Sequence, residues 1–280
     1  MPGSDRYAVF GNPVRHSKSP QIHAEFAAQC QQKIQYRAVK VAENGFSRAV
    51  KHFFMEGGKG LNVTLPFKEE AFAIADVLSD RACRAAAVNT LYQDESGVLR
   101  GDTTDGVGLL RDMVVNLEWK VADRKVLILG AGGAVRGVLE PLLSEGPAGL
   151  VIANRTVEKA QLLVAEFSEL GMVSACEYSA LQGQSFDIIV NGTSASLRGE
   201  LLPLPDGLLN EHGRCYDMVY GTEPTVFMRW AAEQAAWAVS DGLGMLVEQA
   251  AESFYLWRGV RPDTGSVIAQ MRTQLQGQAA

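Results

Sequence analysis

The sequence has little cysteine, and nowhere do its cysteines gather. Cys30, Cys83, Cys176 and Cys215 stand far apart, with no CxxC pair and no Cys/His cluster. A structural zinc site needs ligands at close spacing and a disulfide framework needs a denser set, so no metal and no disulfide scaffold is expected. Scattered thiols suit a reducing, cytoplasmic compartment, some of them buried as small hydrophobes. Long apolar runs are missing as well: none is long enough to cross a bilayer, and the short polar start at residues 1–6 carries no leader-like segment. No basic stripe offsets the formal charge of −6, which argues against nucleic acid as a partner. The overall field being weakly repulsive to anions, an anionic ligand must be held by local donors. There is no fixed-period repeat and no low-complexity stretch. Neither a nucleophile elbow nor a Ser/His/Asp order stands out, so acyl transfer is not the expected chemistry.

What is present is a globular composition, 47% hydrophobic and 21% charged, over 280 residues, which suits one large domain or two ordinary ones. Short apolar runs alternate with longer amphipathic ones, the pattern of an α/β protein with parallel sheets. In the first half, strands are expected at residues 7–10, 36–41 and 60–63, and a hairpin at 87–92 and 98–101. Helices are expected at 46–55 and 67–77, and from Ser19–Pro20, with the serine as cap and the proline in the first turn. A helix at 105–117 leads into 117–124, which has no strong pattern and reads as a crossover between domains. The second half is regular, with strands at 125–129, 150–153, 186–190, 214–219 and 237–239 and helices at 132–143, 157–170, 224–235, 243–257 and 264–275.

The run KVLILGAGGAVR at residues 125–136 reads as a buried strand, a glycine turn and a helix start. Gly130 permits the tight turn. Gly132 and Gly133 let the backbone approach a pyrophosphate, which the free amides of the helix start then bind. The third glycine of the GxGxxG fingerprint would fall at position 135, where Val135 stands, so helix and strand must pack closely by another route. The next strand ends in Asn154, Arg155 and Thr156, with Lys159 one turn on and no carboxylate at its tip. A carboxylate there would hold the ribose hydroxyl of NAD, whereas an arginine and a lysine suit the 2′-phosphate of NADP. Two cations at a helix start oppose its dipole, which favours an anion there.

The first half carries its own polar stations. Thr64 and Lys68 lie where a strand becomes a helix, the usual ligand position in an open α/β sheet. Lys68 reads either as a proton donor to a ketone oxygen or as a surface lysine paired with Glu69 or Glu70. One of Asp102, Thr103 and Thr104 can cap the following helix, and Asp105 beside Gly106 and Gly108 suggests a close backbone approach. Ser17 and Ser19 offer two hydroxyls at a helix N-terminus, which suits a carboxylate, whereas His16 reads as a loop or packing residue.

With these residues in view, the chain resembles the shikimate dehydrogenase family from end to end. The likeness rests on GNPVRHSKSP at 11–20, NVTLPFK at 62–68, AVNT at 87–90, GDTTD at 101–105, GAGGA at 130–134, NRT at 154–156, YDMVY at 216–220 and DGLGMLVEQ at 241–249, in the family's order. It implies two α/β domains with a cleft between them. Residues 1–105 would form the substrate domain, 106–244 the Rossmann-like NADP-binding domain, and helices at about 245–280 would pack back onto the first. It implies NADPH-dependent, reversible reduction of 3-dehydroshikimate to shikimate, in the shikimate pathway of aromatic amino-acid biosynthesis, by a cytoplasmic monomer or homodimer. Ser17 and Ser19 would hold the substrate carboxylate; Thr64, Asn89, Asp105 and Gln249 would bond the ring hydroxyls or ketone; Tyr220 would flank the ring. Lys68 and Asp105 would be the catalytic pair. Gly130, Ala131, Gly132, Gly133, Ala134, Asn154, Arg155, Thr156, Lys159 and Met218 would contact the cofactor, with Gly242 and Met245 near its nicotinamide. One departure is Asn191-Gly192-Thr193, where the family usually has Asn-Ala-Thr. Both serines being present favours shikimate over quinate. An NAD-accepting quinate/shikimate dehydrogenase and a catalytically silent sensor are the competing readings.

Overall fold

The computed structural model describes residues 4–277. By its contacts the chain divides into two compact units. One comprises the described residues up to Gly108 together with Val247–Val267; the other comprises Leu109–Leu246 together with the described residues from Ile268. The segment returning to the first unit is therefore shorter than the 245–280 read from sequence.

The first unit runs β1 (Asp5–Gly11), α1 (Ser19–Gln29), β2 (Ile34–Lys40), α2 (Phe46–Met55), β3 (Gly58–Val63), α3 (Lys68–Ile74), β4 (Val77–Leu78), α4 (Asp80–Ala85), β5 (Thr90–Gln93), β6 (Leu99–Asp102) and the start of α5 (Asp105–Arg111). Its sheet has the order β2-β1-β3-β5-β6-β4. β1 pairs in parallel with β2 and β3, but β5 is antiparallel to both β3 and β6. The expected parallel sheet is thus mixed here, because a tight turn joins β5 to β6 and a hairpin can only be antiparallel. Asp94 builds that turn by accepting from the amides of Ser96 and Val98. Side chains alternate along β1. Ala8 and Phe10 enter a core with Phe46, Val50, Leu61 and Phe67, while Tyr7 turns the other way, onto Trp257.

Two local expectations fail in this unit. The helix expected at 67–77 stops at Ile74, since Ala75 is extended and the Asp76 amide bonds Leu99 O at 2.8 Å. Pairing of β4 with β6 overrides the apolar period there. In α1 the N-cap position is Lys18, so Ser19 lies inside the first turn rather than capping it.

The second unit continues α5 as one π-helical turn (Asp112–Asn116) and then runs β7 (Lys125–Leu129), α6 (Gly133–Ser144), β8 (Gly149–Ala153), α7 (Val157–Phe167), β9 (Val173–Cys176), β10 (Phe186–Asn191), β11 (Leu209–Asp217), α8 (Val226–Glu233), β12 (Ala238–Asp241), the start of α9 (Leu243–Arg258) and most of α10 (Gly265–Gly277). Its sheet is parallel throughout, ordered β12-β11-β10-β7-β8-β9. Counted from β7, that is the 3-2-1-4-5-6 order of a dinucleotide-binding sheet. Both faces are covered. Val126 and Ile128 pack with α6 and α7 on one side, and Leu127 and Leu129 with Phe227 and Trp230 on the other, which is why β7 reads as one unbroken apolar run. Strand order reverses between β7 and β10, and the glycine loop leaves β7 at this switch point.

Candidate active site

In the first unit the polar stations converge at the strand ends. Lys68 opens α3 and reaches Asp105 Oδ2 at 2.6 Å, not Glu69 or Glu70. The surface-lysine alternative is therefore excluded, and Glu70 accepts from the Ser47 amide instead. The pair is partly enclosed, with side-chain exposures of 29% for Lys68 and 17% for Asp105. Asn89 is the hub behind it. Its Nδ2 donates to Asp105 Oδ1 and Thr104 Oγ1, both at 3.0 Å, and to Gln249 Oε1 at 3.3 Å. Its Oδ1 accepts from Thr90 Oγ1 and the Thr104 amide. Asp102 is drawn into a different cluster by a two-point pair with Arg81 and a bond from Ser79. Thr104 directly precedes α5, and its carbonyl accepts from the Gly108 amide at 2.9 Å, while its hydroxyl accepts from Asn89 Nδ2.

The two serines also meet: Ser17 Oγ lies 3.2 Å from Ser19 Oγ and accepts from the Ser19 amide. A partly buried hydrogen-bonded chain joins them to the Asn89 hub. The Tyr36 phenol donates to Asn62 Oδ1 at 2.7 Å, and Asn62 Nδ2 donates to Asn89 O, Thr90 Oγ1 and Ser253 Oγ. Burial pushes the Tyr36 phenol well above its usual pKa, and a hydrogen bond with Ser19 partly opposes this. Tyr36 and Ser253 were invisible in the sequence, one on an edge strand and the other a turn beyond Gln249 on α9. Thr64 begins the turn after β3, and a side chain at Gly11 would run into its methyl group, so the turns after β1 and β3 lie side by side. His16 is exposed.

His23, one turn along α1 from Ser19, was not singled out by sequence. It is fully buried, stacked on Tyr36 with ring centroids 4.2 Å apart, and desolvation lowers its pKa to about 3. It is a neutral packing residue at physiological pH.

In the second unit Gly130 has φ +106°, a conformation that favours glycine, and its amide bonds Ala153 O at 2.8 Å. Gly132 takes the N-cap position of α6 with no side-chain cap, and a Cβ at Gly132 or Gly133 would project into open space. Ala131 is half-buried and Ala134 exposed beside them. Bare backbone and uncapped first-turn amides at a switch point are what a pyrophosphate requires. Val135 is buried where the fingerprint has its third glycine, and a Cβ on Gly192 would collide with its Cγ2. The missing glycine is thus supplied from the neighbouring strand end, which accounts for Gly192 where alanine is usual.

Thr156 is the N-cap residue of α7 but makes no capping bond with its hydroxyl, and Asn154 Nδ2 holds Thr156 O at 2.8 Å. Arg155 and Lys159 are exposed on the same turn. These residues suit a 2′-phosphate. Met218 follows β11, and its carbonyl presses on Gly242 so closely that no Cβ fits there. The Met245 amide donates to the Tyr216 hydroxyl at 3.3 Å. Tyr220 belongs to this second unit, half-buried, with burial raising its pKa. Among the described residues no group of three or more His, Cys, Asp or Glu stands together as for a metal ion, and no helix is long and apolar enough to cross a membrane.

Comparison with known proteins covers most of this architecture. Residues 9–91 match the shikimate dehydrogenase substrate binding domain, residues 113–198 the shikimate / quinate 5-dehydrogenase family and residues 242–272 the shikimate 5'-dehydrogenase C-terminal domain. The shikimate dehydrogenase (NADP(+)) of Cellvibrio japonicus is 57% identical, over 97% of this chain and 98% of its own. Among solved structures, an Ael1 enzyme from Pseudomonas putida superposes with a TM-score of 0.91 at 49% identity, over 95% of this chain and 98% of that one. The shikimate 5-dehydrogenase of Thermus thermophilus, solved in complex with NADP(H) and shikimate, gives 0.85 at 33% identity, over 97% and 99%. Identity of this degree over nearly the whole length, on top of the Lys68–Asp105 pair and the glycine turn at Gly130, places the chain in the shikimate dehydrogenase family.

Proposed function

We propose that this protein catalyses the reversible, NADPH-dependent reduction of 3-dehydroshikimate to shikimate. The observation that carries the reading is the Lys68–Asp105 pair, 2.6 Å apart and tied through Asn89 to Gln249. A charged donor held at strand ends among neutral hydrogen-bonding groups suits a small polyhydroxylated ring with one reacting oxygen. Ser17 and Ser19 hold the ring carboxylate at the first turn of α1, and Thr64, Asn89 and Gln249 bond its oxygens.

NADPH, when bound, supplies the hydride. The backbone from Gly130 to Ala134 would hold the pyrophosphate, and Asn154, Arg155, Thr156 and Lys159 the 2′-phosphate. Met218, Gly242 and Met245 line the nicotinamide end. As the ketone carbon is reduced, negative charge grows on its oxygen. Lys68 Nζ stabilises that charge and donates the proton, while Asp105 orients Lys68 and accepts from a ring hydroxyl. In the reverse direction the same nitrogen takes the proton back.

Shikimate with NADP+ and purified protein provides the test, followed by the absorbance of NADPH. Reduction with shikimate and NADP+, weaker with quinate or NAD+, is the expected result. No shikimate-dependent reduction would sink the proposal and leave the silent sensor. Four free thiols favour a reducing compartment, and we place the enzyme in the cytoplasm as a monomer or homodimer.

A further inference from the structure

At the end of β11 stands a carboxylate that the reaction does not use. Asp217 is fully buried, and its four bonds come from neutral donors. Oδ1 accepts from Asn191 Nδ2 at 3.1 Å and from the Val219 amide at 3.0 Å. Oδ2 accepts from Ser196 Oγ at 2.7 Å and Thr225 Oγ1 at 2.6 Å. Burial pushes its pKa up, and these bonds act against that shift. A buried charge without a bonded cation is tolerated only when fixed dipoles surround it, and the same bonds fix the groups that supply the dipoles.

Those groups belong to separate segments. Asn191 ends β10, Ser196 lies in the loop beyond it, Val219 follows β11, and Thr225 caps α8 by accepting from the Met228 amide. Asn191 in turn accepts from the amide and hydroxyl of Thr193. The Thr193 methyl is the nearest atom to the absent Cβ of Gly130, at 2.9 Å. On the other side, the Met218 amide bonds Asn191 O at 3.0 Å, and the Gly242 amide bonds Val219 O at 3.2 Å. Gly130 and the Met218–Gly242 contact are the two ends of the proposed cofactor site, and both are braced by segments that Asp217 ties together.

We propose that Asp217 is a positioning residue for the cofactor: it holds residues 191–196 and 218–225 in the arrangement that binds NADP(H), and so sets cofactor affinity through the loops it orders. This rests on the reading that the second unit binds NADP(H). The variants Asp217→Ala, Asp217→Asn and Ser196→Ala separate a positioning role from a merely structural one. Asparagine keeps Oδ1 as acceptor, and its amide can donate to the hydroxyls of Ser196 and Thr225, which accept as readily as they donate.

Asp217→Ala is expected to raise the KM and Kd for NADP+ about tenfold, as when only about one molecule in ten holds the competent loops. Asp217→Asn should recover most of that affinity. Ser196→Ala should give a rise of about two- to threefold, and KM for shikimate should stay unchanged in all three. Steady-state kinetics and titration of NADP+ against protein fluorescence read these values; if Asp217→Ala does not fold, the other two variants decide. An unchanged KM for NADP+ in Ser196→Ala and Asp217→Ala overturns the proposal. So does Asn as damaging as Ala, or a fall in kcat alone with both KM values kept, which marks loss of folded protein. A parent protein inactive with shikimate and NADP+ removes the functional reading itself, whereas an active parent with indifferent variants removes only this inference.

Discussion

Replacing Lys68 by methionine keeps the bulk of the stem and deletes the charge and the proton. The structure sets the size of two separate effects. The Lys68–Asp105 pair is partly exposed on both sides, at 29% and 17%, so its loss should cost the fold no more than about 1 kcal/mol. Asp105 also keeps its bond from Asn89 at 3.0 Å, so it is not left unpaired. The effect on turnover should be much larger, since the group that meets the growing charge and supplies the proton is gone. A positioned acid contributes about 10²- to 10⁴-fold, so kcat should fall by roughly 10³, or about 4 kcal/mol of barrier. KM for shikimate should change by less than about threefold, because the reacting hydroxyl is neutral in the bound substrate and charge develops on its oxygen only as it reacts. The double variant Lys68→Met/Asp105→Asn should be about as slow as Lys68→Met alone, because residues acting as a unit do not lose rate additively. Steady-state rates from NADPH absorbance, with a thermal melt of each variant, measure all of this. A large rise in KM with kcat preserved, or multiplicative losses in the double variant, would refute the catalytic pairing.

Three further outcomes are expected. Arg155→Gln should raise KM for NADP+ by about 10- to 100-fold and leave KM for NAD+ unchanged, the loss of a charge-assisted bidentate contact to phosphate; equal losses with both cofactors would place Arg155 elsewhere. Gly192→Ala should weaken cofactor binding and lower the melting temperature, because its Cβ meets Val135 Cγ2, and adding Val135→Ala should restore much of both; a double variant worse than either single one would disprove the contact. His23 has a folded pKa of about 3, below the 6.5 of a free histidine, so the unfolded chain takes up the proton first. Its share of stability is therefore complete above pH of about 6.5 and is lost as pH falls towards 3, at about 1.4 kcal/mol per pH unit. Denaturant melts of His23→Phe should accordingly be flatter across that window than those of the parent, and identical slopes would remove His23 from the account.

The parts of this protein that could be read from sequence are those where local chemistry and tertiary environment agree. The β7 strand is apolar at every buried position because both its faces are covered, and Gly130 is glycine because its backbone requires positive φ. Where distant pairing decides, the linear pattern misleads. The helical period through 67–77 is broken by β4 bonding to β6, and the short, half-buried edge strand β9 carries too little pattern to stand out. Tyr36, Asn62 and Ser253 form one hydrogen-bonded path from strands and a helix far apart in the chain, and no spacing rule links them.

Val135 and Gly192 show most plainly what sequence could and could not supply. Each stood out as a separate departure, one from the dinucleotide fingerprint and the other from the family's usual alanine. In the structure they are one feature. A valine on the first turn of α6 fills the space that glycine normally leaves, and the strand end beside it gives up its side chain in return. Close packing of helix on sheet is therefore preserved with the small residue on the opposite partner, and the turn at Gly130 keeps its geometry. The fingerprint constrains the space between two elements rather than the residue on either of them, so a missing glycine weakens the case for a nucleotide site only until the facing strand has been read.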